Sequence, residues 1–318
     1  MVQFSEIKKA QEYLKGKIIR TPLFSSEYLG EQFGAEVFFK LENLQRTGAF
    51  KVRGVTWKIA SLSSEERKQG VICATSGNHG LGVAYVSYKE GIDALVVIPE
   101  HTPSNKQEAL ARFAPVHVEG ATYFESHTYA LKRSLEEKRT FIHSFDDPRI
   151  IEGQGTIGLE IAEDLPDADI VLSPVGGGGL ISGVLLALKE QRPDITVIGV
   201  QAEGSPSMYR SRESGVVQTL SDISTIAEGI AVKRPGDLTF SIVNRLVDDI
   251  VLVSDEEIAF AAKTLFKEMK IVAEFAGAAS LAAVMLGKIP CAGKKVVCIV
   301  SGGNVSEENF ALFCVPQK

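Results

Sequence analysis

Seven short runs rich in valine, isoleucine and alanine recur along the chain, separated by segments of helical length. The runs are VICAT (71–75), ALVVI (94–98), TFIHS (140–144), DIVLSPV (169–175), TVIGVQA (196–202), DIVLVS (249–254) and KVVCIVS (295–301). Runs with so little polar alternation suit strands buried on both faces, and such strands belong to parallel sheets covered by helices. The segments 103–113, 123–138, 152–163, 179–190 and 255–270 read as the helices between them. Ser63 and Glu66 have the spacing of a capping box for a helix ending near Gly70. The alanine-rich run 275–287 falls short of the roughly 20 residues a membrane span requires and reads as a buried helix. The fold class is therefore α/β, built on a parallel twisted sheet.

The 318 residues are enough for two domains or one large α/β domain. With no repeat, low-complexity tract or flexible linker, two domains would be interleaved. The large one is expected from 1–60 and 148–318, the smaller inserted α/β domain from 61–147. A net charge of -6 argues against a sequence-blind nucleic-acid binder. MVQFSEIKKAQEYLKGK lacks the apolar core of a signal peptide, and Cys73, Cys291, Cys298 and Cys314 show no CxxC spacing. The five histidines show no metal-ligand spacing. No metal site, no membrane and a cytoplasmic location are expected. The chain stops soon after the strand 295–301, so no added regulatory domain, and no feedback through one, is expected.

Four segments carry chemistry. In RTGAFKVRG (46–54), Lys51 follows Phe50 in an apolar, glycine-flanked setting that can desolvate its amine and suit it to Schiff-base formation. VLSPVGGGGL (171–180) is a strand, then Gly176, Gly177, Gly178 and Gly179, then a helix from near Leu180. Backbone N–H groups bare of side chains at a helix start make a phosphate cradle, whereas a simple strand-to-helix turn needs one glycine. It is neither a Walker A loop nor a GxGxxG fingerprint. VICATSGNHGLG (71–82) places Thr75, Ser76, Gly77, Asn78 and His79 at another helix start, suited to a carboxylate. His79 reads better as an N-terminal helix residue than as a general base. KVVCIVSGGN (295–304) puts the Ser301 hydroxyl at a strand's carboxyl end, where ligands of such sheets bind. Lysine, phosphate cradle, carboxylate loop and terminal hydroxyl together point to pyridoxal 5'-phosphate.

With these segments in view, the chain resembles the threonine dehydratase and serine racemase family of fold-type II pyridoxal-phosphate enzymes. The resemblance runs through RTPL (20–23), KLENLQRTGAFKVRG (40–54), TSGNHG (75–80), HSFDDPRIIEGQGTIGLEI (143–161), PVGGGGL (174–180), GVQAEG (199–204), AEGIAVKRPG (227–236) and SGGNV (301–305). It implies a tryptophan synthase β-like fold. It makes Lys51 the Schiff-base lysine with Phe50 beside the ring, places Asn78 on the ring hydroxyl and the 176–179 glycines on the phosphate, and puts Ser301 on the pyridine nitrogen. Gly229 would approach the ring by its backbone, Glu274 would lie near the cofactor, and residues from Thr75 to His79 would hold the substrate carboxylate. Relatives form homodimers or homotetramers, which the resemblance implies here.

The expected reaction is β-elimination from L-threonine or L-serine, giving 2-oxobutyrate or pyruvate and ammonia. The alternative is serine racemase with side dehydratase activity. Phe145 in HSFDDP fits the dehydratase branch, as an apolar wall for threonine's methyl group. Ser76 points the other way, since racemases use a serine there as second base; its other role is to bind the carboxylate. The resemblance also raises a monovalent or divalent cation; the racemases' divalent site falls near GVQAEGSPS, where Gln201, Ser205 and Ser207 stand in place of some acidic ligands and Glu203 remains.

Overall fold

The computed structural model describes residues 2–75 and 77–314. In chain order, α1 (Phe4–Leu14), β1 (Leu23–Ser26), α2 (Glu27–Phe33) and β2 (Glu36–Leu41) lead to α3 (Lys51–Ala60) and α4 (Ser64–Gln69). Then come β3 (Val71–Ala74), α5 (Asn78–Glu90), β4 (Ala94–Ile98), α6 (Ser104–Ala111), β5 (Val116–Val118), α7 (Tyr123–Glu137) and β6 (Thr140–Phe141). The remainder is α8 (Pro148–Asp164), β7 (Ile170–Pro174), α9 (Gly179–Gln191), β8 (Thr196–Ala202), α10 (Ser207–Ser214), α11 (Asp237–Leu246), β9 (Asp249–Val253), α12 (Asp255–Met269), α13 (Phe275–Met285), β10 (Lys295–Val300) and α14 (Glu307–Cys314).

These strands make two sheets, one of six strands in the order β1-β2-β10-β7-β8-β9 and one of four in the order β5-β4-β3-β6. The four-stranded sheet is parallel throughout. The six-stranded sheet is parallel except where β1 runs antiparallel to β2 at one edge. All seven apolar runs appear as strands. β1, β2 and β5 carry no such run: β1 is a half-exposed edge strand, β2 mixes apolar residues with Glu36 and Lys40, and β5 is three residues long. The run TFIHS yields only Thr140 and Phe141 as strand, because at His143 the imidazole accepts the N–H groups of Phe145 and Asp146 and turns the chain.

The helices fall close to their expected places. The capping box of α4 is formed, with Glu66 N–H donating to Ser63 Oγ at 3.2 Å and Ser63 N–H to Glu66 Oε2 at 2.7 Å. α8 starts four residues earlier than the apolar pattern suggests, because Asp147 caps the N–H groups of Arg149 and Ile150 and Pro148 occupies the first turn. α13 is buried from Phe275 to Val284. No helix among the described residues is long and apolar enough to cross a membrane.

α3 packs on α8 at a glycine contact. A Cβ on Gly153 would stand 2.5 Å from Gly54 Cα. That approach buries the first turns of α3 and encloses an ion network. Arg53 is fully buried and pairs with Glu42 (2.8 Å) and Glu160 (2.7 Å); buried Lys40 also pairs with Glu160 (2.6 Å). Burial raises the Glu160 carboxyl, but the charges and hydrogen bonds of Arg53 and Lys40 outweigh this and hold it below its ordinary range.

Candidate active site

Lys51 opens α3, and the loop before it is tied to the end of β10. Phe50 N–H donates to Ser301 O (3.1 Å), and Ala49 bridges to Gly302. The Lys51 amine donates to Ser144 O at 3.0 Å and lies 5.1 Å from the centroid of the Phe50 ring. The residue as a whole is partly exposed, yet burial around the amine lowers its pKa to about 8, against an opposing pull from the Glu274 charge. At neutral pH such an amine is deprotonated far more often than an ordinary lysine.

The glycine turn joins β7 to α9, which begins at Gly179, the first residue of the helical segment expected at 179–190. Gly178 has φ +96°, a conformation that L side chains rarely adopt. The Phe145 ring lies against Gly177, where an added Cβ would stand 2.5 Å from three ring carbons. Thr239 Oγ1 donates to Gly177 O at 2.6 Å and fixes the turn from α11. Among the described residues, the N–H groups of Gly176, Gly177 and Gly178 donate to no protein acceptor.

A third group converges from α5, the start of α13 and the segment after β10. Asn78 Nδ2 donates to Glu274 Oε1 (2.7 Å), and Asn304 Nδ2 donates to Asn78 Oδ1 (2.7 Å) and Thr47 O (2.8 Å). Gly229 and Gly302 both face Glu274, whose Oε1 lies 3.4 Å and 2.5 Å from where their Cβ atoms would be. Burial raises the Glu274 carboxyl to about 7, opposed mainly by the Asn78 hydrogen bond and the more distant Lys106 charge. Asn304 was not singled out from the sequence; the only sign of it is the SGGNV run.

Glu228, Gly229, Glu274, Ala276, Asn304 and Lys106 line a cavity of about 250 Å³, and Lys106 pairs with Glu228 in its wall. A larger depression of about 470 Å³, bounded by Glu6, Lys58, Asp147, Arg149 and Glu152, contains none of the site residues named above. Its charges are paired with one another.

Thr75 Oγ1 accepts from Gly77 N–H at 3.1 Å, which orders the start of the α5 loop. Ser76 lies outside the described residues. His79 is buried, and since a carbonyl only accepts, its Nε2–H donates to Ile142 O (2.9 Å). Burial, with the nearby Lys51 charge, lowers its pKa to about 3, so the ring is neutral and committed to the main chain. Ser301 is buried at the end of β10.

In the stretch suggested for a cation several oxygens are already engaged by the protein, whereas the buried Ser207 Oγ has no partner among the described residues. Gln201, Ser205 and Ser207 are buried, but Gln201 Oε1 accepts from Tyr209 N–H, Ser205 Oγ is bonded to Val232, and Glu203 turns outward to Lys288 (3.7 Å). No group of three or more His, Cys, Asp or Glu residues converges among the described residues.

The family described as pyridoxal-phosphate dependent enzyme matches residues 14–302. The chain belongs to this family. Within it, the chain falls in the fold-type II threonine dehydratase and serine racemase group. It is 48% identical over 306 residues to the L-threonine ammonia-lyase of Thermotoga maritima, covering 96% of this chain and 76% of the relative. It is 43% identical over 307 residues to the catabolic L-threonine dehydratase TdcB of Escherichia coli K12, covering 96% and 93%. Among solved structures, maize serine racemase superposes with a TM-score of 0.94 at 34% identity, covering 98% of this chain and 96% of that one.

The cofactor of this pyridoxal-phosphate dependent enzyme is pyridoxal 5'-phosphate, and the site fits it on two counts. The glycine turn presents N–H groups without protein acceptors at the start of α9, where a helix N-terminus favours an anion. Lys51 offers an amine whose pKa burial lowers to about 8, so that it is unprotonated far more often than an ordinary lysine. Gly177→Ala tests the first. Overpacking against Phe145 costs about 1–3 kcal/mol. Pyridoxal-phosphate affinity of the variant, measured by titrating cofactor into apoprotein, is therefore expected to fall about ten- to hundredfold.

Glu274 gives a pH-dependent expectation for the cofactor-free protein. Between the ordinary carboxyl range and about 7, the folded chain holds a proton here that the unfolded chain has lost, so this group's contribution to stability falls as pH rises through that window. Glu274→Gln removes the penalty. Relative to wild type, the variant is expected to gain about 1–3 kcal/mol at pH 8 compared with pH 5. Urea melts at the two pH values check this; an equal difference at both would place the titration elsewhere.

Proposed function

We propose that the chain is an L-threonine and L-serine ammonia-lyase that converts L-threonine to 2-oxobutyrate and ammonia, and L-serine to pyruvate and ammonia. Water lost with the β-hydroxyl is regained on hydrolysis, so the reaction balances. The observation that carries this reading is the Lys51 amine, partly deprotonated by burial, bonded to Ser144 O next to a Phe145 ring that lies on the glycine turn. The threonine ammonia-lyase and dehydratase relatives support it.

Lys51 would hold the cofactor's aldehyde, Gly176 to Gly179 its phosphate, Asn78 its ring hydroxyl and Ser301 its ring nitrogen, with Gly229 approaching by backbone and Phe50 and Glu274 beside it. When bound, pyridoxal phosphate supplies an electron-withdrawing ring that stabilises negative charge at Cα. Lys51 would take the Cα proton, a role that suits an amine with a pKa near 8. A neutral Ser301 hydroxyl favours prompt loss of the β-substituent over transamination. The 75–79 loop would hold the substrate carboxylate, and Phe145 would give threonine's methyl group an apolar surface, worth about 1–3 kcal/mol in discrimination.

Residues 1–60 and 148–318 form the large domain in this reading and 61–147 the small one, so that the cofactor lies between them. A homodimer or homotetramer in the cytoplasm completes it. The likeness to maize serine racemase favours a second reading, serine racemase with side dehydratase activity. Purified, cofactor-loaded protein given L-threonine and L-serine separates the two. Rapid 2-oxobutyrate with little D-serine supports the ammonia-lyase, whereas D-serine forming faster than pyruvate overturns it.

A further inference from the structure

Four consecutive residues after His143 each hold a different part of the site. Ser144 O accepts from the Lys51 amine at 3.0 Å. The Phe145 ring lies against Gly177. The Asp146 carboxylate accepts from the N–H groups of Asp237 (3.1 Å) and Thr239 (3.0 Å) at the start of α11, and Thr239 in turn holds Gly177 O. Asp147 caps α8 and accepts from Lys58 of α3 at 2.6 Å.

The His143 imidazole organises this stretch. Its Nδ1 accepts from Phe145 N–H (3.2 Å) and Asp146 N–H (2.8 Å). Two donors aimed at one ring nitrogen require that nitrogen to be unprotonated, so the ring proton resides on Nε2. The ring stands edge-on to Phe145 with centroids 4.7 Å apart, and His127 and Phe141 flank it at 6.1 and 6.3 Å. Burial lowers its pKa to about 4, so the acceptor is retained at neutral pH.

We propose that His143 is a positioning residue: through its Nδ1 it fixes the 144–147 turn, and thereby the Lys51 amine and the glycine turn relative to one another. The proposal rests on the reading of Lys51 and Gly176 to Gly179 as the cofactor site. A merely structural histidine would stabilise the fold without setting cofactor affinity.

Two variants divide these roles. In His143→Asn the amide Oδ1 takes the place of Nδ1, whereas His143→Leu keeps the shape and removes the acceptor. Titration of the apoproteins with pyridoxal phosphate is expected to give an affinity within about threefold of wild type for the asparagine variant and at least about tenfold weaker for the leucine variant. In the loaded enzymes, the kcat for 2-oxo acid should fall more than KM changes in the leucine variant. A leucine variant with wild-type affinity, or the two variants equally impaired, overturns the proposal. If the leucine variant does not fold, nitrogen NMR of ¹⁵N-histidine-labelled wild type decides it: an unprotonated Nδ1 supports the role and a proton on Nδ1 removes it. The affinity contrast holds whether or not L-threonine is turned over, since absence of 2-oxo acid from wild type overturns the functional reading alone.

Discussion

Lys51→Ala is expected to lower 2-oxo acid formation from L-threonine by at least about 10³-fold, because in the proposed function one side chain supplies both the cofactor attachment and the base for the Cα proton. The fold should survive. The amine makes a single hydrogen bond, to Ser144 O, and burial already disfavours its charged form. Alanine is also the best helix former, and position 51 opens α3. Borohydride reduction followed by peptide mass analysis gives an independent check. Wild type should retain reduced cofactor on the peptide containing Lys51, and the variant on no peptide. Turnover within tenfold of wild type would remove Lys51 from the chemistry. A ligand sensor built on the same scaffold could tolerate the substitution, so the variant also separates enzyme from sensor.

The largest stability effect is expected at Arg53, two residues along the same helix. Its Nε and Nη2 donate to Glu42 (both 2.8 Å), and its Nη1 and Nη2 donate to Glu160 (2.7 and 2.9 Å), with Thr156 Oγ1 at 3.1 Å. Arg53→Ala leaves buried Glu160 with Lys40 as its close cation and buried Glu42 with no ion-pair partner among the described residues. Breaking a buried pair in this way costs about 3–5 kcal/mol, since it strands charge in a medium that solvates it poorly. The melting temperature of the cofactor-free protein should drop by roughly 5–10 °C. A drop of a degree or less would mean that water reaches the network. The network also locks α3 to β2 and α8, so loss of Arg53 is expected to loosen the helix that carries Lys51.

The most legible features were those whose chemistry is contained in a few adjacent residues. Continuous Val and Ile runs marked seven strands because burial on both faces leaves no room for polar alternation. The four glycines at 176–179 exceeded the need of a turn and so pointed to backbone recognition of an anion. Lys51 stood out through its apolar, glycine-flanked setting, and the resemblance over most of the chain assigned the cofactor. Less legible were β1 and β2, whose pairing at the sheet edge rests on contact with β10 more than on their own pattern.

The sequence by itself determined the α/β class, the strand–turn–helix segments that bear the lysine and the glycines, and the family. These follow from local periodicity, local backbone demands and ordered motifs. Only the tertiary structure decided that Asn78 meets Glu274 and Asn304, that His79 spends its ring on Ile142 O, that Arg53 sits between two carboxylates and that His143 Nδ1 gathers the 144–147 turn. Most of those partners lie far apart in the chain, and the short-range one at His143 depends on how the ring is buried. Burial and charge proximity, which set the Lys51 and Glu274 protonation states, exist only once the chain has packed.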